Sequence, residues 1–214
     1  MRLRIASLSM LLLCLAAVPA VGQAIIYSNG PINGSFDAWT INSGFVVSDS
    51  FTVSNGAPAV DGINFGAWLF VGDVLESVQV SITSSEFGGT TFFNQVVNFT
   101  QSGCYSNQYG LNVCEESGSI SPLVNLAAGT YWLNLANAVV NTGDPVYWDE
   151  NSGPSSASEN SVGTIPSEAF TILGLISSTS STTSSGGTVP EPSSIMLFGS
   201  GILGLAGVLR RRLS

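Results

Sequence analysis

Residues 25–176 predict an all-β fold, an antiparallel β-sandwich or jelly roll, on three observations. The first is period-two alternation. "INFGAWLF" sets Ile63, Phe65, Ala67 and Leu69 on one face, and "VLESVQVSI" sets Val74, Val78, Val80 and Ile82 together with only Glu76 breaking the apolar side. The second is punctuation: "NSG", "SNGAP", "VGD", "FGG", "AAG" and "NTGDP" fall between stretches rich in β-branched and aromatic residues such as "FVVSDSFTV", "TTFFNQVVNFT" and "GTYWLNLANAVV". The third is the absence of a helical stripe of period 3.6 anywhere before the C-terminal tail. No segment repeats at a fixed period, which argues against a propeller or β-helix.

The N-terminus precedes this domain with a different pattern. "MRLRIASLSMLLLCLAAVPAVGQA" runs from a basic start at Arg2 and Arg4, through an apolar core, to small residues at Ala20, Gly22 and Ala24. That order is a secretory signal peptide over residues 1–24, with signal peptidase expected to cut after Ala24 and Ala20 as the alternative. Cys14 sits inside the apolar core behind a Leu, where a lipoprotein site would need a small residue, so it leaves with the signal.

Two cysteines then remain, Cys104 and Cys114, in "GCYSNQYGLNVCEESG". An even count in an exported chain points to a disulfide, and closing so short a loop stabilises by roughly 2–3 kcal/mol in the chain-entropy model. A metal pair is disfavoured because no His or further Cys completes a tetrahedral set.

Further along, Trp68 and Trp132 lie within strand patterns and read as core. "TGDPVYWDENSGPSS" is different: Tyr147 and Trp148 stand beside Asp149 and Glu150 in a Gly/Pro/Ser-rich setting. Aromatic faces stack on sugar rings while carboxylates accept from their hydroxyls, so these four are the candidate glycan contacts. The competing reading turns Val146 and Trp148 inward and leaves the acids solvating a loop. "DENSG" also resembles a fragment of a calcium loop, so Ca²⁺ is the one cofactor to consider, without the rest of the twelve-residue pattern.

Residues 177–189 are almost all Ser, Thr and Gly, a composition that cannot bury apolar area and predicts a flexible linker. Pro190, Glu191 and Pro192 follow, then an apolar run over 195–209, about 22 Å long if helical, and then Arg210, Arg211 and Arg212. The run is slightly short for a hydrocarbon core of about 30 Å, and arginines directly behind it stay on the cytoplasmic side. The three parts, in this order, resemble the PEP-CTERM sorting signal of Gram-negative bacteria, over residues 190–214. The resemblance implies recognition by an exosortase, a transpeptidase-like membrane enzyme, after a transient stay in the inner membrane. Removal of the tail and delivery to the envelope, surface or extracellular matrix would follow, usually alongside exopolysaccharide production.

Charge narrows the function further. No Lys, Arg or His stands between residues 5 and 209, while all 14 carboxylates do. Electrostatic binding of nucleic acid or anionic lipid is therefore excluded. Serine and cysteine nucleophiles lack an activating base; glycoside hydrolysis needs only two carboxylates, but no pair of acids is convincingly matched in sequence. The expectation is a non-catalytic exported surface or matrix protein with no catalytic or metal residues. A carbohydrate-binding module is the alternative. A glycosidase and an ice-binding protein are more remote, the latter because no Thr-x-Thr repeat is present.

Overall fold

A computed structural model describes residues 23–175. The signal peptide up to residue 22, the linker and the sorting tail with its apolar run lie outside the described residues.

Twelve strands and no helix make up the described residues. They are β1 (Gln23–Ser28), β2 (Ala38–Thr40), β3 (Val46–Val53), β4 (Val60–Leu69), β5 (Leu75–Ser85), β6 (Gly88–Ser106), β7 (Asn112–Val124), β8 (Gly129–Val140), β9 (Tyr147–Asp149), β10 (Ala157–Glu159), β11 (Gly163–Ile165) and β12 (Phe170–Leu175). Every pairing is antiparallel, in the order β1-β12-β4-β7-β6-β5-β8-β3-β10-β11, with β9 attached to β4, and β2 to β9, off this path. The long β6 pairs with β5 through its first half and with β7 through its second, so it carries the sheet from one ladder into the other. The all-β, antiparallel expectation is met.

The apolar faces of both ladders form one core. Ile63, Phe65, Ala67 and Leu69 of β4 are all buried, as the alternation predicts. Phe65 and Phe170 meet Trp148 edge-on, with centroids 6.1 and 5.6 Å apart, and Phe51 meets Phe170 in the same way. Such pairs contribute about 0.5–1.5 kcal/mol each beyond the area they bury.

β5 departs from its predicted phase. Leu75, not Val74, enters the core, and Glu76 faces solvent. Register irregularities against β8 at Leu75/Ser77 and Ser77/Gln79 shift the strand by a residue before Val78, Val80 and Ile82 resume the inward face. A bulge of this kind resolves the one conflict in the alternation, because it keeps a carboxylate out of the core.

The chain enters and leaves side by side: Gln23 of β1 is opposite Leu175 of β12, and Gly174 is opposite Val60 at the start of β4. Ala24, the expected cleavage position, lies within β1 opposite Gly174. Cleavage there leaves Ile26 and Tyr27, which pack on the core.

Several carboxyls are buried in a domain with no cation to pair them. Glu116 of β7 lies opposite Phe65, and neither of its oxygens has a hydrogen-bond partner; burial pushes it up to about 8. Glu168 is likewise buried and unpartnered, and it is pushed well above the usual carboxylate range by burial and then by Asp49, Glu150, Asp149 and Asp37 around it. Burial raises Asp49 to about 6, against the opposing hydrogen bonds from Ser155 and the Glu168 and Ser50 backbones. Asn29 ties this group together. Its Nδ2 lies 3.2 Å from Asp49 Oδ2 and 2.6 Å from the Glu168 carbonyl, so the residue after β1 is locked to β3 and to the chain leading into β12.

Candidate functional site

The site begins with the three residues of β9. They pair Asp149 with Ala38, Trp148 with Trp39 and Tyr147 with Thr40 on β2; on β4, Ala67 faces Trp148 and Trp68 faces Tyr147. Residues directly opposite in an antiparallel pair share a face, and successive residues alternate. Tyr147, Trp68 and Asp149 therefore lie on one side, and Trp148, Trp39 and Ala67 on the other.

The second side is the core. Trp148 is 0% exposed and donates its indole N–H to the Ala169 carbonyl at 3.0 Å. This corrects the expected Tyr147/Trp148 platform: Trp148 offers no face to a ligand, because the pairing of β9 between β2 and β4 turns it inward.

Asp149 is also fully buried, although it shares the outer side with Tyr147, because the chain at Asn33–Gly34 folds over it. Its Oδ2 accepts from Asn33 N–H at 2.8 Å; its Oδ1 accepts from Gly34 N–H at 3.0 Å and from the Trp68 indole N–H at 2.6 Å. Burial raises its pKa and these three donors oppose the rise. Two glycines permit the close cover. Gly34 has φ +61°, and a Cβ there would lie 2.7 Å from Val113 Cγ2; a Cβ on Gly66 would lie 2.8 Å from Asp149 Cβ and from Ile32.

Glu150 is half-buried and accepts from the Trp39 indole N–H at 3.1 Å, a bond that opposes the upward push of burial. Asn151 spends its amide on the Asn29 carbonyl and its Oδ1 on Gly153 N–H and the Ser167 hydroxyl. The acids and amide of the calcium-loop fragment are thus engaged by protein donors and acceptors. Among the described residues, no group of three or more His, Cys, Asp or Glu is placed to hold a metal ion.

Of the four expected glycan contacts, Tyr147 alone opens onto a surface hollow. This hollow, of about 240 Å³, is lined by Phe36, Asp37, Ala38, Trp68, Tyr109, Leu111 and Tyr147. Phe36 and Tyr109 are 58% and 61% exposed, whereas Trp68 is buried beneath. Tyr109 comes from the turn between β6 and β7 and stacks on Trp68, centroids 5.5 Å apart and planes 29° from parallel. That turn is held in two ways. The Cys104–Cys114 disulfide closes its base, with Cα atoms 4.2 Å apart, as the spacing predicts. Gln108 Nε2 donates to the Ser35 carbonyl at 2.9 Å, which joins the turn to the segment carrying Phe36 and Asp37.

Sequence reasoning missed Phe36, Asp37, Tyr109 and Leu111. The signal available was an aromatic in each of two turn-like stretches, "NGSFDAW" and "SNQYGLN". Nothing in the sequence says that the two stretches meet.

No curated protein matches the chain. Later in the sequence, residues 188–212, which include Pro190, Glu191, Pro192 and Arg210 to Arg212, match the family model of the PEP-CTERM protein-sorting motif. The chain therefore carries a PEP-CTERM sorting motif at its C-terminus, as the order of its last residues predicts.

Proposed function

We propose that this is a non-catalytic, exported protein of the cell surface or extracellular matrix, delivered through its PEP-CTERM tail. The observation that carries the reading is the tail itself: the sorting motif at residues 188–212 holds three of the five basic residues of a chain that excludes Lys, Arg and His from residues 5 to 209. Positive charge is used here to fix topology. Signal peptidase removes the leader after Ala24, the apolar run 195–209 holds the chain in the inner membrane, and an exosortase-type transpeptidase releases it into the envelope, where exopolysaccharide is the expected surrounding. The folded sheet is a sandwich-type domain joined to the tail through the Ser/Thr/Gly-rich residues 177–189. No cofactor enters this reading.

A second reading, a carbohydrate-binding module, draws support from the aromatic lining of the hollow, in which Tyr147 takes part. A glycosidase draws less. Its chemistry needs two carboxyls about 5–10 Å apart across a cleft, and Asp37 is the one carboxylate lining the hollow.

Intact-mass measurement of envelope material from the native host tests the sorting. The mature protein should end near Pro190. A C-terminus at Ser214, or unchanged sorting after Pro190, Glu191 and Pro192 are all replaced by Ala, would overturn the proposal.

A further inference from the structure

We propose that the hollow between the Phe36 segment and the β6–β7 turn is a binding site for neutral polysaccharide, in which Tyr109 and Phe36 supply the stacking faces and Asp37 a hydroxyl acceptor. The proposal rests on the surface reading above and gives it a ligand class. Large aromatic side chains at more than half exposure cost solvation, and two of them flank one concavity whose floor is a third ring, Trp68. Contiguous exposed apolar surface with polar groups at its rim marks an interaction site.

Tyr109 and Trp68 are also held in place. Tyr109 is stacked on Trp68, its hydroxyl lies 3.4 Å from the Phe36 carbonyl, and its turn is fixed by the disulfide and by Gln108. Trp68 is in turn anchored by Asp149. Preorganised rings lose little freedom on binding, which favours a weak ligand that offers repeated contacts.

Charge selects the class. The hollow contains a carboxylate, and no Lys, Arg or His exists between residues 5 and 209 to attract an anion. A polyuronate or sulfated chain would be repelled at every residue. A neutral pyranose presents an apolar C–H face to the rings and hydroxyls to Asp37.

The test uses the mature exported protein in affinity gel electrophoresis, with dextran and galactomannan as neutral probes and alginate as the acidic one. Wild type should be retarded by at least one neutral polymer and not by alginate. Tyr109→Ala should weaken that retardation about tenfold, the loss of one stacked ring, and Tyr109→Phe should keep most of it. Phe36→Ser, at the other exposed ring, provides a second variant and should weaken it similarly; far-ultraviolet circular dichroism confirms that each variant is folded. No retardation of wild type by either neutral polymer, equal retardation by alginate, or wild-type behaviour of both folded ring variants would each overturn the site. Tail removal in the Tyr109→Ala protein, read by intact mass, separates this from the sorting proposal. Trimmed tails with unaltered retardation in both ring variants sink the hollow alone, and an untrimmed wild-type tail sinks the sorting alone.

Discussion

The indole N–H of Trp68 donates to Oδ1 of Asp149 across 2.6 Å, and the ring carrying that N–H is the surface on which Tyr109 stacks. One buried carboxylate thus fixes the floor of the hollow, and through Asn33 and Gly34 it also fixes the chain leading to Phe36. Asp149→Ala leaves a buried indole N–H and two backbone N–H groups without an acceptor. The expected cost is about 2–4 kcal/mol in urea unfolding, with a red shift of tryptophan emission as the Phe36 segment lifts. An unchanged midpoint and emission would show that the carboxylate is not the anchor.

Reducing the Cys104–Cys114 bond should lower stability by about 2–3 kcal/mol. The same loss is expected from a Cys104→Ser/Cys114→Ser double variant measured without reductant. Cys114 is buried while Cys104 is on the surface, so the bond can be reached from its Cys104 side.

Stability should fall as pH rises. Glu116 goes from its ordinary value of 4.5 to about 8 on folding, and Asp49 from 3.8 to about 6. Each group binds its proton more tightly in the folded state, so its contribution is complete below the ordinary value and is lost as pH rises through the folded one. Thermal unfolding between pH 4.5 and 8 should show a steadily decreasing melting temperature, with Glu168 acting in the same sense. A melting temperature that rises across this window would contradict the burial of these acids.

Glu116→Met is expected to stabilise the domain. It replaces an unpartnered carboxyl opposite Phe65 with an apolar side chain of similar length. Removing a buried polar group that has no partner is worth about 1–3 kcal/mol, and the gain over wild type should be larger at pH 8 than at pH 5. Urea titrations at the two pH values measure both the gain and its pH dependence.

Much of this is readable in the sequence. Period-two alternation identified the inward faces of β4 and most of β5, because a half-buried strand cannot hide its apolar side in any other pattern. The cysteine pair was readable from count and spacing, and the tail from the order of its parts. The orientation of Trp148 was not. Alternation says that Tyr147 and Trp148 point opposite ways, but only the register with Trp39 and Ala67 decides which one enters the core. Tyr109 was hidden for a different reason. Its partner Trp68 is far away in sequence, and a turn of Ser, Asn and Gly gives no hint of the surface it folds against.

The pairing of Leu175 with Gln23, and of Gly174 with Val60, has a mechanical meaning. The chain departs toward its tail beside the start of β4, whereas the hollow is built around Trp68 near that strand's end, about 27 Å away for eight residues of extended chain. A pull between Leu175 and Trp68 would draw β12 by its last residue and β4 by its opposite end. Because β12 lies antiparallel to β4, such a pull slides the two strands past each other and strains the rungs from Phe170–Phe65 to Gly174–Val60 together. Peeling would break them one after another. Single-molecule pulling from Leu175 against Trp68 should therefore rupture the domain at higher force than pulling across the sheet from β1 to β11.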